Sequence, residues 1–155
     1  MNTIGDDVKR TAVAFIAIAC SLVLAGCAKP KPTPEELIGG PIQEMRNAIE
    51  KDISEPGRQG QMLAIVDELD GVLKDHATDL EAVSRDLSRL NVDYDVPREA
   101  FDGVVSDFSL RAKARRQRIL DLHFQMTGLT SPEEWKPISK HEVEALGAAG
   151  SYLTN

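Results

Sequence analysis

Cysteine is almost absent from this 155-residue chain: its two copies, Cys20 and Cys27, both lie near the start. Residues 28–155 therefore hold no disulfide, no thiolate chemistry and no cysteine-based metal site, and their fold must rest on packing. Excess positive charge is absent too. With 25 acidic against 18 basic residues and a formal net charge of −7, the chain is a poor binder of nucleic acid. Catalytic patterns are equally scarce. There is no glycine-rich phosphate loop and no Ser-His-Asp set on converging elements, and the three histidines, His76, His123 and His141, never fall at the i, i+4 spacing of a metal site. The expectation is a protein without enzymatic activity, metal or cofactor.

Only one long apolar run is present, and it is short for a membrane span. Thr11 to Val23 follows the basic pair Lys9-Arg10 and has the length of a signal-peptide core. The run closes in Leu24-Ala25-Gly26-Cys27, which resembles the lipobox of bacterial lipoproteins. That resemblance implies cleavage after Gly26, diacylglycerol on the Cys27 thiol and a fatty acyl chain on its amine. An uncleaved anchor helix is the alternative. Alanine rather than aspartate at position 28 implies sorting to the periplasmic face of the outer membrane. Several acyl chains make such anchoring effectively permanent, so the bilayer is one expected partner and any others lie in the cell envelope. Loss of residues 1–26 removes Asp6, Asp7, Lys9 and Arg10 together, which leaves the charge at −7.

Residues 27–34 carry the lipidated cysteine and a proline-rich stretch that reads as an extended tether. Residues 35–149 read as one helical domain and 150–155 as a tail. Within the domain, Met62, Val66, Leu69, Leu73, His76, Leu80, Val83, Leu87 and Leu90 alternate in steps of four and three, the spacing of a coiled-coil seam. After the breaker-rich turn Asn91 to Pro97 the alternation returns in Phe101, Val105, Phe108, Ala112, Arg115, Ile119, Leu122, Met126 and Leu129. Two matched helices about a short turn predict a long antiparallel αα-hairpin.

The register can be tested internally, because facing positions of an antiparallel pair share one residue-number sum. Leu90 with Phe101, Val83 with Phe108, His76 with Arg115 and Leu69 with Leu122 meet that condition. The single polar member of each seam thus falls in one layer, flanked by Asp75 and Asp79, with Arg111 opposite Asp79 and His123 opposite Asp70. The layer either specifies register or senses pH. The basic cluster Arg111, Lys113, Arg115, Arg116 and Arg118 is either a solvated face balanced within the hairpin or a site for an anionic partner.

Ile38, Ile42, Met45 and Ile49 predict a shorter N-terminal helix that starts near Pro34-Glu35-Glu36, where proline and acids suit a first turn, and is regular from Pro41 onward because Gly39-Gly40-Pro41 interrupts it. Ile65 and Val72 offer that helix an extra apolar stripe. Ser131-Pro132-Glu133-Glu134 is a capping box, and Pro137 with a second box at Ser139 to Glu142 predicts two short C-terminal helices. Trp135 belongs to the core. The predicted class is all-α, a three- to four-helix bundle base with the hairpin extending past it.

At the hairpin tip, Val92, Tyr94, Val96 and Val104 are left over from the seam, either to pack among themselves or to dock a partner. Leu129-Thr130-Ser131-Pro132-Glu133 resembles the Leu-Thr-x-x-Gln motif of the small helical periplasmic chaperones of the Spy and CpxP type, with glutamate in place of glutamine and no second copy. That resemblance implies dimeric, client-cradling activity in envelope stress. The functional expectation is a membrane-anchored interaction or scaffold module with an envelope protein partner and a possible homodimer, the chaperone reading being the alternative and an ion- or pH-responsive binder a third.

Overall fold

The computed structural model describes residues 32–93 and 95–151. The segment expected to be a signal peptide, Cys27, most of the expected tether, Tyr94 and the residues beyond Ser151 lie outside the described residues. Four helices follow one another: α1 (Pro34–Asp52), α2 (Pro56–Val92), α3 (Arg98–Gly128) and α4 (Pro132–Gly150). Among the described residues there is no strand, and no helix is long and apolar enough to cross a membrane.

The first and last helices begin alike. Thr33 and Ser131 cap them, each accepting from the backbone of a glutamate three residues on, Glu36 and Glu134, whose carboxylate returns to the cap's own N–H. Thr33, assigned to the tether by composition, therefore caps α1, which starts at Pro34 as Pro34-Glu35-Glu36 suggested. Both helices also run through an internal proline, which corrects two expectations. Pro41 does not delay α1, because Gly40 before it carries no Cβ to collide with the proline ring, and only the bond to the Leu37 carbonyl is lost. Pro137 does not split the C-terminal segment, because it sits one turn into α4 and deprives only the exposed first-turn residue Glu133 of a donor. The second capping box is unused: Ser139 donates to the Lys136 carbonyl, and Glu142 is buried inside the helix.

The helices alternate in direction. Gln59 donates to the carbonyls of Glu50 and Ile53, which ties the end of α1 to the start of α2. Arg58 meets Glu134 with two hydrogen bonds of 2.8 and 2.9 Å and reaches the Leu129 carbonyl at 3.1 Å, so the same end also holds the α3–α4 turn. At the other end, Lys74 pairs with Glu35 near the start of α1.

α1 packs most extensively against α4. Its buried face is large, Ile38, Ile42, Met45 and Ile49, whereas that of α4 is Ile138, Glu142, Ala145 and Ala149. Alanines opposite isoleucines let the two axes approach. The core adds Met62, Val66, Leu69, Leu73 and Ala77 from α2 and Leu122 and Met126 from α3, with Trp135 packed against it as expected. No residue of α2 beyond Ala77 is buried. At about 1.5 Å per residue, the rest of α2 carries the hairpin roughly 20 Å past the bundle.

Candidate interaction site

The hairpin register agrees with the sequence reading at its centre. Arg111 donates to Asp79 through Nε and Nη2, the latter at 2.9 Å, and Arg115 donates to the second oxygen of the same carboxylate. Arg118 reaches Glu68 at 2.5 Å lower down. Hydrogen bonding from Arg111, joined by Arg115 and opposed by burial, holds the Asp79 carboxyl below the usual carboxylate range. His76 lines the same cavity as Arg115, and its own ring is pushed below the ordinary histidine value, first by burial and then by the Arg115 charge. Two flanking expectations fail. Asp75 stays exposed and outside the layer. Asp70 pairs with Lys74 at 2.8 Å and Arg46 at 3.6 Å rather than with His123, because α1 brings Arg46 closer than the hairpin brings the histidine.

His123 instead donates from Nδ1 to Glu142 of α4 at 2.9 Å. Glu142 is the one buried charged residue among the described residues, at 2% exposure. His123 also lies edge-on to Trp135 and Phe124. Sequence reasoning missed this pair because it used Glu142 as a cap; the signal available was its place in the i, i+3, i+4 row with Ile138, Ala145 and Ala149.

Toward the tip the seam loosens. Leu80, Val83, Leu87 and Leu90 are only half-buried. Val105, assigned to the seam, is 49% exposed, while Val104 takes the half-buried position. A straight α-helix drifts about 20° per heptad against a 3.5-residue repeat, and several heptads above the base the inward row has moved by one residue. At the tip itself, Asp93 organises the turn by accepting from the N–H of Asp95 at 3.1 Å and, through its carbonyl, from that of Val96 at 3.4 Å. Val96 is half-buried and Val92 is 79% exposed, so Val92 is not consumed by packing within the tip.

Two concavities accompany the hairpin. One, of about 250 Å³, opens where α4 ends and is lined by Leu73, His76, Arg115, Arg116, Ile119 and Leu146 among others. The second, about 480 Å³, is a shallow apolar groove between the lower parts of α2 and α3, with Ala64, Ile65, Phe124 and Leu129 along it. Ile65, expected to serve α1, packs against the core and lines this groove together with residues of α3. Phe124 is 67% exposed and Leu110, two heptads earlier, 66%. Both residues lie off the seam that organised the sequence reading. Among the described residues no cluster of three or more His, Cys, Asp or Glu is placed to hold a metal.

No family model, curated protein or solved structure matches this chain.

Proposed function

We propose that this chain is a non-enzymatic helical interaction module of the cell envelope, tethered to the periplasmic face of the outer membrane through acylated Cys27, and that it meets a protein partner with the projecting half of its hairpin. One observation supports the reading: among the described residues the fully buried positions of α2 stop at Ala77, and the hairpin beyond carries half-buried seam residues and, at the end of α2, a valine 79% exposed. A chain that needed only stability gains little by ordering two further helical segments with so little to bury. A contact surface carried clear of the four-helix base explains why these turns are ordered. Apolar residues at the tip supply the central contact, and the polar flank around Asp86, Arg89 and Arg98 supplies a rim.

A photo-crosslinking residue at Val92 or Tyr94 in living cells, with Lys51 as control, tests this. Capture of one envelope protein from the tip positions and not from Lys51 is the expected result. Equal adducts from all three sites overturn it. The groove around Ile65 and Phe124 supports a second reading, a chaperone of Spy and CpxP type, for which the purified protein would slow client aggregation and Phe124→Ser would weaken that activity.

A further inference from the structure

Of the six exposed large apolar side chains among the described residues, three share one face of α3: Leu110, Leu120 and Phe124 are 66%, 43% and 67% exposed. Lys113 and Gln117 complete a row of three- and four-residue steps from Leu110 to Phe124, about 21 Å of helix with no acid in it. The row points away from the core, since the buried Leu122 and Met126 each lie two places from Phe124 and so on the opposite side of the helix. Val143 of α4 is 66% exposed as well. It stands seven residues from Lys136 on one face, and each of the two follows a side chain that touches His123 of α3, Glu142 and Trp135 respectively. Pro137 and His141 turn toward α1, which leaves Lys136 and Val143 on the side away from that helix. Charge completes the pattern. Lys113, Arg116 and Lys136 form no ion pair, whereas Arg111, Arg115 and Arg118 are each held by a carboxylate. The adjoining acids are engaged: Asp121 accepts from Gln117 at 3.0 Å, and Glu144 pairs with Lys140 and His141.

We propose that this outer face of α3 and α4 rests on an anionic lipid surface. Leu120, Phe124 and Val143 enter the boundary between headgroups and acyl chains, and Lys113, Arg116 and Lys136 meet the lipid phosphates. Exposed leucine and phenylalanine beside unpaired lysine and arginine is the composition of helices that lie in a membrane interface. A basic residue near an anionic leaflet strengthens binding about fivefold, so three together on one face of a chain of net charge −7 set that face apart from the rest of the molecule. A second copy is a poorer occupant. A two-fold interface uses the same patch on both copies, which brings the unpaired cations of one toward those of the other with no free acid between them. This docking needs neither an acylated Cys27 nor a partner at the hairpin tip, so it stands or falls separately from both.

The test places a photo-reactive phenylalanine analogue at Phe124, at Val143 or, as control, at Lys51, an exposed cation of α1. The full chain is reconstituted in phosphatidylcholine vesicles containing about a quarter phosphatidylglycerol, and the adducts are read by mass spectrometry. Lipid adducts at Phe124 and Val143 should exceed those at Lys51 roughly fivefold or more. They should fall by a similar factor in pure phosphatidylcholine, and again in about 1 M salt, where the screening length is about 3 Å. The triple variant Lys113→Gln, Arg116→Gln, Lys136→Gln should lose the same preference for phosphatidylglycerol while melting at the parent temperature. Equal yields in pure phosphatidylcholine, or an unchanged preference in the triple variant, would overturn the proposal by showing no recognition of charge. Equal lipid adducts from Lys51 would overturn it by showing that the chain is merely near the bilayer, and adducts between two copies would assign the face to a dimer instead.

Discussion

The base of this molecule and its projecting hairpin are made from the same helices and the same heptad-like alternation, yet they differ in what that alternation can bury. At the base, Leu69 and Leu73 belong to a core built from all four helices and lose essentially all solvent contact, as do Ile42 and Met45. Beyond Ala77 the same pattern on α2 buries no residue fully among the described residues, and Leu80, Val83 and Leu87 stay half-open along the hairpin with α3. Two helices enclose a line, whereas four enclose a volume. Periodicity therefore reports the direction a side chain faces, and the number of neighbouring helices decides how much energy that direction returns.

The comparison is most directly broken by truncating matched side chains. Ile42→Ala in the base removes a fully buried side chain and should cost about 3–4 kcal/mol, whereas Leu87→Ala in the hairpin should cost about 1 kcal/mol because solvent already reaches the site. Chemical denaturation of the two variants checks this. Equal losses would mean that the projecting segment is packed as tightly as the base.

The buried polar pair provides the next largest effect. His123→Leu leaves the Glu142 carboxyl in the core without its hydrogen bond, and should cost about 2–3 kcal/mol, below the full penalty for breaking a buried pair because His123 itself is 37% exposed. The double variant His123→Leu with Glu142→Leu should recover most of that loss, since it removes the stranded charge together with its partner. Thermal unfolding of the single and double variants distinguishes this from simple cavity formation, in which the second substitution would bring no recovery.

Much of this contrast was legible before any coordinates. The antiparallel register followed from matching two seams, and Asp79 with Arg111 appeared where that register placed them. The all-helical class, the capping box at Ser131 and the extension of the hairpin beyond the base also followed from local pattern. What escaped was tertiary in origin. Prolines 41 and 137 look like helix breaks in isolation, but packing of Ile42 and Ile138 immediately after them compensates for one missing hydrogen bond each. Asp70 and His123 were misassigned for a related reason. A two-helix register knows nothing of the Arg46 and Glu142 that other helices bring. The outward row Leu110 and Phe124 was overlooked because a search for the best seam discards the residues that do not belong to it.

Acid provides a subtler probe of the base. Hydrogen bonds from Arg58, then from the Ser131 backbone, lower the Glu134 carboxyl from 4.5 to about 2. A carboxyl depressed in the folded state stabilises it fully above the unfolded value and loses that contribution as pH falls from about 4.5 toward 2. Stability of the parent should therefore decline through this interval, and the Glu134→Gln variant should decline less steeply while starting lower at neutral pH. Parallel curves for the two proteins would show that Glu134 is not linked to folding.

The smallest expected effect belongs to the largest alteration. Replacing residues 82–107 with a short glycine-rich loop removes the projecting part and leaves Asp79, Arg111, Arg115 and all the fully buried residues in place. If the base is a self-sufficient four-helix unit, its unfolding midpoint should move by only a few degrees, since the deleted segment buries little and the ordering entropy it costs disappears with it. A large drop in midpoint would show instead that the hairpin clamps the base, and its projection would then have a structural reason. Retention of the midpoint, combined with loss of crosslinking to an envelope partner, would leave contact as the purpose of the projecting segment, because natural selection retains few ordered helical turns that support neither the core nor a surface.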